Sequence, residues 1–101
     1  MSVTMILRWK DMDRDTIRAK HDEVAPKVNE LGRSMGVIHH HVFYAPQSNE
    51  CVMIDEWPSP AEAEQFWTTD TFREALGAAG MRAPDEVIVL ESSGADGANE
   101  F

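Results

Sequence analysis

Gly36-Val-Ile-His-His-His-Val-Phe-Tyr44, followed by Ala45-Pro-Gln-Ser-Asn49 and then Glu50-Cys-Val-Met-Ile-Asp-Glu-Trp57, sets the frame for the rest of the chain. The two outer segments are rich in β-branched and aromatic residues, and the middle one holds turn formers. The whole predicts two strands joined as an antiparallel hairpin with a loop of about four or five residues. Three of the four histidines fall on the first of these strands.

Upstream, Val3 to Trp9 alternates Val3, Met5, Leu7 and Trp9 against Thr4, Ile6 and Arg8, the signature of another strand. Asp13 or Asp15 can cap a helix behind it, whose apolar stripe runs Ile17, His21, Val24, Val28, Leu31. Gly32 is expected to end this helix and Pro26 to kink or break it, since proline lacks the amide proton and crowds the preceding turn. Downstream, Ser59-Pro60-Ala61-Glu62 has the form of a capping box with proline at the first helical position. Ala63, Phe66 and Trp67 share one phase of that helix, whereas Phe72, Ala75, Leu76 and Ala79 share another, so a break is expected at Thr68-Thr69-Asp70. Gly80 suits a C-terminal cap. Glu86 to Glu91 reads as the last strand, and Ser92 to Phe101 as a flexible acidic tail.

The order β-α-β-β-α-β is that of a ferredoxin-like α+β domain over residues 1–91, with a four-stranded antiparallel sheet and helices on one face. Three of the strands carry apolar residues on both sides. A sheet half exposed to water would alternate cleanly, so the face away from the helices calls for a cover. A second copy packed sheet to sheet is the simplest one, and a homodimer is expected.

Composition narrows the function classes. The 101 residues make one domain, 43% hydrophobic and 27% charged, with no apolar run near the ~20 residues of a membrane span. Nothing resembles a secretory signal, so a soluble, cytoplasmic protein is expected. The net charge is −9, with no Lys or Arg beyond Arg82 and the seven bases before Gly36 interspersed with acids, which disfavours nucleic acid. A lone Cys51 leaves no disulfide framework and no cysteine-rich zinc site.

Strand alternation divides the histidines: His39 and His41 on one side, His40 on the other. The His-x-His pair has metal-ligand spacing, with Asp55 or Glu56 as a conceivable third ligand. Imidazoles hydrogen-bonded across a sheet-to-sheet interface account for it better, and no metal is expected. His40 shares its side with Ile38, Val42 and Tyr44. If that side meets the helices, the ring can act as a general base or pair with a carboxylate or with His21.

The strings Gly36-Val-Ile-His-His-His-Val42, Val52-Met-Ile-Asp-Glu-Trp-Pro-Ser59, Phe66-Trp67 and Phe72-Arg-Glu-Ala-Leu76 together resemble the dimeric α+β barrels of the antibiotic-biosynthesis monooxygenase type. The resemblance runs from about Val3 to Glu91 and rests on fold-determining motifs. It implies a small-molecule pocket between helices and sheet, and an activity like that of cofactor-independent monooxygenases on aromatic or quinol-like substrates. Relatives that degrade haem carry an Ala-His pair late in the second helical region and an Asn on the first strand. This chain has Ala75-Leu76 and no Asn between Val3 and Lys10, so haem is not expected, nor any other cofactor. On this reading His40 is the catalytic base, and Trp67, Phe66, Tyr44, His21 and Arg8 contact the substrate. The other reading is a non-catalytic dimer that binds a ligand or a partner protein.

Overall fold

The computed structural model describes residues 2–91. The elements run β1 (Val3–Trp9), α1 (Arg14–Ser34), β2 (His39–Ala45), β3 (Glu50–Trp57), α2 (Pro60–Trp67), α3 (Asp70–Ala78) and β4 (Glu86–Glu91). The strands form one sheet in the order β2-β3-β1-β4, antiparallel at every pairing. This is the ferredoxin-like α+β arrangement expected from the element order. The expectation of a flexible tail falls on residues 92–101, outside the described residues. Among the described residues no helix is long and apolar enough to cross a membrane.

Alternation in β1 and β3 sends Val3, Leu7 and Trp9, with Cys51, Met53, Asp55 and Trp57, into the helix-covered side. The hairpin closes with Ala45 paired to Glu50, and Asn49 takes a positive φ of 50°, which asparagine tolerates better than most residues. Its carbonyl accepts from Met12 N at 2.7 Å, tying the hairpin to the start of α1.

For α1, a break at Pro26 and an end at Gly32 are corrected: the helix runs through Pro26 unbroken and continues beyond Gly32 to Ser34. Gly32 serves a close approach instead: a β-carbon there would come within 3.3 Å of Val37 Cγ1 and 3.7 Å of Phe66 Cε2. The chain turns at Gly36, whose φ of +106° is costly for any residue with a β-carbon. The expected break between the last two helices is present, and each helix has its own cap. Ser59 Oγ accepts from Glu62 N at 3.4 Å, and Thr69 Oγ1 accepts from Phe72 N at 3.2 Å.

The change of direction between α2 and α3 brings Phe66 and Phe72 together, with ring centroids 4.8 Å apart, and Phe66 stacks obliquely on Trp57 at 5.1 Å. A second cluster around Leu7, Trp9, Met12, Ile17 and Met53 completes the core. Trp9 Nε1 donates to Arg82 O at 2.7 Å, pinning the segment that leads into β4. Asp85 in that segment accepts from the Lys10 amide and pairs with Arg82, and these contacts hold its carboxyl below the usual range. The opposite side of the sheet is bare among the described residues. Phe43, Ile88 and Leu90 are exposed there, and Ile6, Val52 and Ile54 are only half-buried.

Candidate functional site

The helix-covered side is not packed solid. A cavity of about 300 Å³ lies between α1, α3 and the β2–β3 half of the sheet. Its walls are largely apolar, with Met53 and Trp57 from β3, Phe66 from α2, and Phe72 and Leu76 from α3. α1 contributes two rows of residues. Val24, Val28 and Gly32 recur every four residues and form one row, while His21, Ala25, Asn29 and Arg33 form the row beside it.

The polar centre of this cavity is a pair. The β2–β3 register places His40 opposite Asp55, and His40 Nδ1 lies 2.5 Å from Asp55 Oδ1. Asp55 is 4% exposed and sits between Met53 and Trp57 on the inward face of β3. Because a carboxylate only accepts, Nδ1 carries the imidazole proton and the lone pair remains on Nε2. A ring held in that tautomer by a buried carboxylate is arranged to take a proton at Nε2, the logic of the Asp-His pair in hydrolases. Among the described residues no activated nucleophile accompanies it. Cys51 is buried two rungs from Met53 toward the hairpin end, and burial pushes its thiol up to about 11, which leaves it protonated at neutral pH.

His40, His21 and Phe66 all line the cavity. Trp67 lies behind the wall, packed against Phe72 at 4.9 Å, because α2 points Phe66 rather than Trp67 inward. Tyr44 shares the inward face of β2 with His40 but stands four residues further on, beside two shallower depressions near the start of α1. Burial raises the pKa of its hydroxyl. Arg8 is on the bare side of the sheet, where it forks onto Glu50 at 3.0 Å and reaches Glu86 at 3.3 Å.

The same register separates the conceivable metal ligands. His39 and His41 border the cavity at the β2 edge but alternate to the outward side of the strand, with His39 Nε2 3.8 Å from Glu56 Oε1, while Asp55 faces inward beside His40. Among the described residues no three His, Cys, Asp or Glu side chains converge as a metal site.

Several lining residues carry little signal in the sequence. Spacing offers Asp55 only as a metal ligand, although an acid inserted in the inward series Cys51, Met53, Trp57 is itself a sign of a buried polar partner. Trp57 forms part of the wall and its Nε1 is buried with no hydrogen-bond partner among the described residues. Asn29 and Arg33 fall on the polar row of α1, which the apolar stripe of that helix conceals.

No protein-family model and no curated protein matches the chain. Solved structures do. SnoaB, a cofactor-independent oxygenase from Streptomyces nogalater, superposes with a TM-score of 0.69 at 13% identity, covering 93% of this chain and 95% of that one. A Caulobacter crescentus protein provisionally called an antibiotic biosynthesis monooxygenase gives 0.69 at 15% identity, over 90% of this chain and 89% of that one. Rv0793 from Mycobacterium tuberculosis gives 0.67 at 16% identity, over 95% and 99%. The chain therefore has the α+β fold of the antibiotic-biosynthesis monooxygenase-like proteins.

Proposed function

We propose that this protein is a cofactor-independent monooxygenase of a compact aromatic, phenolic or quinol-like substrate. The observation that carries the reading is the His40–Asp55 pair at the polar centre of an apolar cavity. Nε2 of His40 takes the proton of a phenol or enol bound in the cavity, and Asp55 stabilises the imidazolium that forms. The substrate anion then supplies the electrons to dioxygen. One oxygen atom becomes bonded to substrate carbon and the other leaves as water, so no flavin or metal is called for. The aromatic wall of Trp57, Phe66 and Phe72 suits a flat ring, and a volume near 300 Å³ lies at the small end of ligand pockets, roughly 300–1,000 Å³. SnoaB, named as an oxygenase of this kind, supports the reading through its fold.

Oxygen consumption with a panel of hydroquinols tests it. His40→Ala is expected to lower the rate by about 10²–10⁴-fold. If the wild type consumes no oxygen with any of them, or the substitution leaves the rate unchanged, the enzyme reading falls.

A second copy of the chain is proposed to cover the bare side of the sheet. Phe43, Ile54, Ile88 and Leu90 form an apolar surface there, and no described residue lies over it. A particle of about twice 11.3 kDa in analytical ultracentrifugation is expected.

A further inference from the structure

The cavity is not chemically uniform along α1. Its deeper row, Val24, Val28 and Gly32, is apolar, and the adjoining row supplies His21, Asn29 and Arg33. At about 1.5 Å of rise per residue this row extends roughly 18 Å, with Arg33 at the end where Gly32 brings the helix against Val37 and Phe66. Arg33 is exposed at the rim and makes no ion pair among the described residues. One helical turn before it, Asn29 presents a side-chain amide that makes no hydrogen bond to any described residue. Among the described residues the only carboxylate lining the cavity is Asp55, already engaged by His40. In a chain of net charge −9, this rim holds a cation that no described residue neutralises, with an amide beside it, facing a largely apolar space.

We propose that Arg33, with Asn29, binds an anionic group on the ligand, so that the substrate class is an aromatic carrying a carboxylate or comparable acid. The flat ring occupies the apolar space near His40, and the acid reaches the guanidinium at the rim. A guanidinium is suited to this because its planar N–H fork matches a carboxylate. The ligand then binds in one orientation, with its acid fixed at the Arg33 end. The inference deepens the proposed function, on which it rests for the identity of the site.

The test measures binding without oxygen, so that it is separate from turnover. A hydroxynaphthoate is compared by anaerobic calorimetry with the naphthol that differs from it only in lacking the carboxylate. The wild type is expected to bind the carboxylate roughly tenfold or more tightly, as one charge-assisted hydrogen-bonded contact provides. Arg33→Ala should erase that preference without changing the naphthol affinity. Arg33→Lys should restore part of it. Lys27→Ala, which removes a cation of the same helix outside the cavity, should leave both affinities alone. A naphthoate-to-naphthol ratio that is equal in wild type and Arg33→Ala overturns the proposal, as does failure of the wild type to bind the naphthoate. If Arg33-dependent preference is found but no hydroquinol consumes oxygen, the ligand class stands and the catalytic reading falls. If oxygen is consumed but the preference is absent, only the anion site falls.

Discussion

Three successive histidines on β2 experience two different environments. On the inward side, His40 is clasped at 2.5 Å by a carboxylate that is itself buried. On the outward side, His39 and His41 are exposed, stack with ring centroids 6.3 Å apart, and continue into Phe43 at 6.0 Å. The nearest acid to His39 is 3.8 Å away and the His39 side chain is 67% exposed. Imidazole is common to both sides, so the difference comes from the partner across the strand. A buried carboxylate fixes tautomer and orientation, whereas a solvated one leaves both free.

Exchanging the two acids gives the sharpest contrast. Asp55→Asn keeps the shape of the side chain, but its amide can turn an N–H toward Nδ1 and move the imidazole proton to Nε2, where the lone pair is needed. A fall in kcat of about 10²–10⁴-fold is expected, with KM little changed, because the ring still occupies the same place. A merely structural role for Asp55 would instead lower the melting temperature and leave the turnover of the folded fraction intact. Glu56→Gln, one residue along and on the other side, is expected to leave turnover unchanged and stability within about 0.5 kcal/mol. Equal effects from the two substitutions would erase the distinction between the faces.

The outward side has its own test. Ile54 is at the middle of the bare surface, paired with Ile6 on one side and His41 on the other. Ile54→Lys is expected to convert the proposed dimer to a folded monomer, because an ammonium there is tolerated in water and costly when desolvated between two sheets. Sedimentation reads this directly. A variant that sediments like the wild type would mean that this surface is not where copies meet.

Most of the frame was legible in the residues. The hairpin follows from turn chemistry between two β-rich segments, α2 follows from the Ser59 capping box, and the break before α3 follows from the change of apolar phase after Trp67. The path of α1 was less legible. Gly32 reads locally as a stop, but its role is a contact with Val37 and Phe66, the latter 34 positions away in the chain. The site shows the same division. Alternation alone set His40 apart from His39 and His41. That Asp55, rather than His21, is its partner depends on register, which no periodicity specifies when apolar residues occupy both sides of a strand. Trp67 illustrates the converse: adjacent to Phe66 in sequence, it packs into the core behind Phe72 and does not line the cavity, because consecutive helical residues diverge by about 100°.

The smallest expected effect compares two groups on one side of one strand. Asp55 and Cys51 both face inward from β3, but Asp55 has His40 and Cys51 has no charge-stabilising partner, so burial alone acts on the thiol and pushes it up from 9 to about 11. Its unfolded form loses the proton first. The folded state therefore binds more protons between those values. The stabilisation is fully present below about pH 9, declines as pH rises toward about 11, and is lost above it. Urea titrations of wild type and Cys51→Ala across that window should show the wild-type advantage shrinking by on the order of 1–2 kcal/mol. Tyr44, whose hydroxyl is raised mainly by burial and then by the Cys51 thiolate, is present in both proteins, so its burial effect cancels and only its coupling to Cys51 stays in the difference. A constant difference across the window would mean that the thiol is reached by water in the folded state, and the inward side of β3 would then be less dry than the pairing of Asp55 with His40 requires.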